Sequence, residues 1–78
     1  MHKYGEVNAA DIGAFLKATR EDLDMSQKKV MELTGINNKT LSGYENGVSQ
    51  PDIQTFAILA KVYGFSIDKF FGLDGNGK

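Results

Sequence analysis

Two clusters of hydrogen-bonding side chains, Gln27-Lys28-Lys29 and Asn37-Asn38-Lys39-Thr40, each stand where an amphipathic helical pattern begins. Lysine ammonium groups and a glutamine amide suit phosphate oxygens. Asparagine can pair bidentately with adenine, and lysine can reach O6 and N7 of guanine, so Asn38 and Lys39 have the chemistry to discriminate bases. Thr40 could add a methyl contact or a phosphate hydrogen bond. Positive side chains in the first turn of a helix oppose its dipole at a cost of about 0.3–1 kcal/mol each. Lys28 and Lys29 break that rule, and an anion opposite them would repair it. The competing reading of the lysines is a solvated pair, and that of Asn37 and Asn38 is helix capping, which accounts for one of the two.

The elements that must position these groups carry their own start and stop signals. Ser26 can cap a first short helix and Gly35 end it; Asn37 can cap a second and Asn46-Gly47 end that one. The hinge Thr34-Gly35-Ile36 is long enough only for a tight turn. Two helices joined this way cross steeply, so the second protrudes while the first braces it, the helix-turn-helix geometry that presents a helix to the major groove of DNA. Around this pair the periodicity predicts an all-α domain of five helices with no strand. The first runs from Asn8 or Ala9 to Asp22 with Ile12, Phe15, Leu16, Thr19 and Leu23 inward, and the motif helices follow at about Gln27–Thr34 and Asn38–Asn46. A fourth begins at Pro51, carries Ile53, Phe56, Leu59, Ala60 and Tyr63 inward and ends at Gly64. A short fifth starts at Ser66 with Ile67, Phe70 and Phe71 inward. Leu41, Tyr44 and Ile36 belong to the core. The expected organisation is a flexible N-terminus over residues 1–7, one domain over 8–72 and a flexible tail over 73–78.

From about Ile12 to Phe71 the chain resembles the Cro and lambda-type repressor DNA-binding domains, the xenobiotic-response-element class. The resemblance rests on Ile12, Leu16 and Arg20 before the motif, Ser26-Gln27 opening it, and Gly35, Leu41, Glu45-Asn46-Gly47 and Pro51 within or after it. Leu59-Ala60 and Phe65-Ser66-Ile67-Asp68 extend it. It implies a compact lambda-repressor-like fold with the helix-turn-helix at helices 2 and 3. It places base contacts at Asn38, Lys39, Ser42 and Gly43 and phosphate contacts at Gln27 and Asn46, and Lys28, Lys29, Asn37 and Thr40 are the further expected phosphate contacts. It also aligns Arg20 and Glu45 with a pair that links the first helix to the reader helix in several relatives. Gly43 stands where relatives often carry a long polar reader, Val48-Ser49-Gln50 replaces a commonly basic loop, Met31 replaces a usual alanine, and Leu33 occupies a position often polar.

Composition bounds the remaining possibilities. The chain has 78 residues, a formal charge of -1 and no cysteine, so one small core must hold the fold without disulfides or a thiolate metal site. The charge is unevenly spread. Residues 1–25 hold Lys3, Lys17 and Arg20 against Glu6, Asp11, Glu21, Asp22 and Asp24; residues 26–50 hold Lys28, Lys29 and Lys39 against Glu32 and Glu45. The motif is therefore the basic part of an acidic chain. With no apolar run of the roughly 20 residues that span a bilayer, and no apolar stretch at the start, a cytoplasmic protein is expected, associated with the nucleoid when bound to DNA. No catalytic constellation, cofactor loop or metal cluster is present; the one histidine is His2.

These features together predict a sequence-specific DNA-binding transcriptional regulator, a prokaryotic or phage repressor that binds a palindromic operator as a homodimer. Phe65, Phe70, Phe71 and Leu73 are its candidate interface residues, with core as the competing role. Two other readings stay open: an antitoxin or protein-interaction module on the same fold, with a protein partner such as a toxin, and the N-terminal reading head of a larger regulator.

Overall fold

The computed structural model describes residues 8–66. It contains four helices in chain order: α1 (Ala9–Asp22), α2 (Gln27–Thr34), α3 (Asn38–Glu45) and α4 (Ile53–Tyr63). There is no strand among the described residues. The fifth helix expected from Ser66, together with Ile67, Phe70, Phe71 and Leu73, falls outside them beyond its first residue.

Each helix starts where a short polar side chain can take up an orphan backbone N–H. Asn8 opens α1 with a capping box, accepting from the Asp11 N–H at 2.9 Å while Asp11 reaches back to the Asn8 N–H. Ser26 accepts from the Lys29 N–H at 2.9 Å and Asn37 from the Lys39 N–H at 2.7 Å. The fourth start differs from the expectation. Asp52, not Pro51, is the cap, accepting from the Thr55 N–H at 2.7 Å, so helix begins at Ile53. A carboxylate acceptor at the cap outweighs the preference of proline for the first helical position.

The ends are built just as locally. Gly35, Gly47 and Gly64 all have positive φ, the conformation that turns a chain out of a helix. After α3, the Gly47 N–H donates to the Tyr44 carbonyl and the Val48 N–H to the Gly43 carbonyl, the paired bonds of a Schellman turn. Asp24 makes the same turn after α1 without glycine, at φ 57°. Its N–H goes to the Glu21 carbonyl and the Met25 N–H to the Arg20 carbonyl.

Leu16, Val30, Leu41 and Leu59 are fully buried, one from each helix, and Phe56, Ala60, Tyr63 and Phe65 complete the core. Burying each large apolar side chain contributes about 1.5–3 kcal/mol. Phe65 is core rather than interface, set edge-on to Phe15 at 4.8 Å and tilted against Phe56 at 5.6 Å. Two expected core residues lie outside. Leu23 is 43% exposed because the turn at Asp24 carries it off the α1 stripe, and Ile53 is 71% exposed at the first position of α4.

The helices meet unequally: α3 packs on both α1 and α2, and α2 also touches α4. Helices α1 and α3 come tightly together at Gly13, where a Cβ would stand 2.2 Å from the Tyr44 carbonyl oxygen and 2.9 Å from that of Glu45. No real side chain tolerates such contacts, so glycine at this point sets how deeply α3 seats against α1.

Candidate nucleic-acid interface

The turn between α2 and α3 is tied by one side chain. The Thr34 hydroxyl donates to the Val30 carbonyl at 2.7 Å and accepts from the Ile36 N–H at 3.0 Å. It thereby spans Gly35, the left-handed residue at φ 79°. Helix α3 leaves this turn with two distinct faces. Leu41 and Glu45 are buried and Tyr44 is half-buried, whereas Asn37, Asn38, Lys39, Thr40 and Asn46 are exposed.

The inner face is held by an ionic hub. Arg20 of α1 donates from Nε to Glu45 Oε2 at 2.7 Å and from Nη2 to Oε1 at 2.9 Å. Its remaining amino group, Nη1, donates to the Met25 carbonyl at 2.7 Å. Gln27, the first residue of α2, adds a bond from Nε2 to Glu45 Oε1 at 3.0 Å. Two helices, α1 and α2, therefore converge on one carboxylate of α3 whose side chain is 2% exposed.

Burial works against charge on Glu45, but the hydrogen bonds of Arg20 and Gln27, with the positive charges of Arg20 and Lys17, prevail and hold it below the usual carboxylate range. Tyr63 of α4 feels the same site. Burial foremost, and then the negative charge of Glu45, push its phenol up to about 12, with Arg20 opposing. Its hydroxyl has no hydrogen-bond partner among the described residues.

Several of the sequence-expected groups are exposed. Lys28 and Lys29 are exposed at the start of α2, and Asn38, Lys39 and Thr40 at the start of α3. Asn37 is committed to capping, which leaves Asn38 as the free amide of the pair. Ser42 and Asn46 are brought together, the Asn46 amide donating to the Ser42 hydroxyl at 3.2 Å. Gly43 faces its own loop: a Cβ there would lie 3.2 Å from the Ser49 hydroxyl, and the Gly43 carbonyl accepts from the Val48 and Ser49 N–H groups. Gln27 is half-buried and turned toward Glu45.

Sequence reasoning missed Gly13, Thr34 and the Met25 carbonyl. Gly13 had a visible signal, since a glycine inside a helical pattern carries a propensity cost that a close crossing explains. A backbone carbonyl leaves none.

A short capped helix braced from behind and polar in front, set on a second helix by a threonine-tied turn, is the reading geometry of a helix-turn-helix domain. The chain matches the helix-turn-helix family over residues 16–70 and belongs to it. It is accordingly a domain of the DNA-binding, transcription-regulating class.

Among curated proteins it is similar to the HTH-type transcriptional regulator PuuR of Escherichia coli K12, 36% identical over 59 residues, which is 76% of this chain and 32% of that protein. The PuuR of Shigella flexneri matches equally. The HTH-type transcriptional regulator ImmR of Bacillus subtilis 168 is 35% identical over 63 residues, 81% of this chain and 50% of that protein. The chain thus spans a third to a half of the length of these relatives. No solved structure matches it significantly. No helix among the described residues is long and apolar enough to cross a membrane.

Proposed function

We propose that this chain reads a specific DNA sequence through α3 in the major groove and represses transcription by occupying a promoter as a homodimer in the cytoplasm. The observation that carries the reading is the division of α3 into a locked inner face, Leu41 and Glu45, and an exposed outer face with Asn38 and Lys39 at its leading end. Thr40 beside that end, and Lys28 and Lys29 at the start of α2, supply phosphate contacts, with Asn46 closing the far end of α3. That the relatives PuuR and ImmR are named as transcriptional regulators supports the regulatory role.

Dimerisation follows from economy of contact. One helix of 8 residues offers few base contacts, and two such helices reading half-sites roughly 34–36 Å apart double them on a palindromic operator. A fifth helix after α4, completing the lambda-repressor-like fold, belongs to the same proposal.

The experiment is selection of bound duplexes from a random-sequence pool at moderate salt, run beside an Asn38→Ala, Lys39→Ala double variant. An enriched palindrome that the variant loses supports the reading. No enrichment at any salt refutes it and shifts the function to a protein partner such as a toxin.

A further inference from the structure

Gln27 is the group at which the buried hub reaches toward the surface. We propose that Glu45, beyond pairing with Arg20, is a positioning residue for a DNA backbone contact: it holds the Gln27 carboxamide so that one N–H faces inward and the second N–H of the same nitrogen is presented to a phosphate. The proposal rests on the DNA-binding reading above and adds how one contact is prepared.

The argument is one of donors and acceptors. An ionised carboxylate only accepts hydrogen bonds, so the nitrogen of the Gln27 amide, not its oxygen, must face Glu45. The bond from Nε2 to Oε1 at 3.0 Å is that arrangement. Glu45 cannot swing away, because Arg20 grips both its oxygens at 2.7 and 2.9 Å. A primary amide nitrogen carries two coplanar hydrogens, and fixing one fixes the direction of the other.

A phosphate oxygen is likewise only an acceptor, so a freely rotating amide would offer it the wrong atom as readily as the right one. Here the wrong orientation is excluded before DNA arrives. Gln27 opens α2 beside the exposed Lys28 and is itself only half-buried, although its Nε2 is bonded to the hub. Ordering such a side chain on binding costs about two- to tenfold in affinity. That cost is already met in the folded chain.

The test uses the whole chain and a mixed-sequence DNA duplex, since a phosphate contact is independent of sequence. In the free protein, nitrogen-resolved NMR should show the Gln27 side-chain amide shifting with pH at the midpoint of the Glu45 carboxyl carbon. Glu45→Met, which removes both acceptor oxygens, should weaken duplex binding about two- to tenfold per half-site when Gln27 is present, and by less than about twofold in a Gln27→Met background.

Gln27→Asn keeps the ion pair but is too short to reach both Glu45 and a phosphate, so it should bind as weakly as Gln27→Met. This comparison stands even if Glu45→Met does not fold. Equal losses for Glu45→Met in both backgrounds, an amide that ignores the Glu45 titration, or a Gln27→Asn protein that binds like the parent would each overturn the proposal while leaving DNA binding intact. Failure of the parent chain to bind any duplex would overturn the DNA-binding reading and this step with it, whatever the amide does.

Discussion

Arg20 and Glu45, 25 residues apart in sequence, meet in a two-pronged contact at 2.7 and 2.9 Å that fastens α3 to α1. The third arm of the same guanidinium holds the Met25 carbonyl, while the backbone carbonyl of Arg20 accepts the Met25 N–H. Arg20 therefore sets both the seat of the reader helix and the path of the chain into α2. Removing a partner from a buried pair costs far more than the pair contributes over an apolar replacement, because the remaining charge is stranded. Arg20→Ala should lose about 3–5 kcal/mol, enough to unfold most of so small a domain. Arg20→Lys should lose less, since it keeps the charge but lacks the planar fork. Urea denaturation followed by circular dichroism ranks the three proteins, and a parent-like midpoint for Arg20→Ala would refute the assignment.

Acid should loosen the same contact. The folded chain keeps Glu45 ionised below its ordinary value of 4.5, whereas the unfolded chain takes up a proton near that value. The unfolded state then binds more protons, so stability falls as pH falls. The contribution is complete above about pH 4.5 and is lost progressively until the pH passes the lowered value of the folded state. Asp52 adds to the decline, because the backbone N–H of Thr55 favours its charged form. Urea midpoints measured between about pH 6 and about pH 3 should drop for the parent and flatten partly in Glu45→Gln. An identical drop in the variant would assign the acid sensitivity to other carboxylates.

Glycine at the helix crossing gives a prediction whose sign opposes propensity. Alanine is favoured over glycine inside a helix by about 0.8–1.0 kcal/mol. At Gly13 that gain is overwhelmed, because the new methyl would lie 2.2 Å from the Tyr44 carbonyl oxygen and backbone must move. Gly13→Ala should destabilise by about 1–3 kcal/mol or more. Gly43→Ala, whose methyl would meet only the mobile end of the Ser49 side chain at 3.2 Å, should be neutral or stabilising. Thermal melts of the two variants separate the cases, and similar shifts would contradict the close crossing.

What could be read before the structure follows the range of the forces involved. Caps at Asn8, Ser26 and Asn37 and the left-handed exit at Gly35 are local, so residue type and spacing reveal them. The inward set Leu16, Leu41, Phe56 and Leu59 follows from helical period alone. Pro51 and Asp52 compete over neighbouring positions, and only the 2.7 Å bond to Thr55 decides between them. The Arg20–Glu45 contact came into view through family resemblance, since no local pattern joins residues so far apart. The inward turn of Gln27 had no sequence signal, because glutamine serves equally as a phosphate donor or as an internal one.

Lys28 and Lys39 should separate affinity from selectivity. Both are exposed lysines, but Lys28 stands in the first turn of α2 and Lys39 in that of the reader helix α3. A phosphate contact is blind to sequence and releases condensed counterions. Lys28→Ala should therefore weaken selected and mixed-sequence duplexes alike, and reduce the salt slope of binding by about 0.9 per chain. A base contact carries sequence information. Lys39→Ala should weaken the selected duplex by about 1–3 kcal/mol more than the mixed one, relaxing preference at one base pair in each half-site. Fluorescence anisotropy titrations of both duplexes across a salt series measure the slope and the discrimination together. Loss of discrimination in Lys28→Ala with selectivity retained in Lys39→Ala would reverse the roles of α2 and α3 and sink the assignment of α3 as the reader.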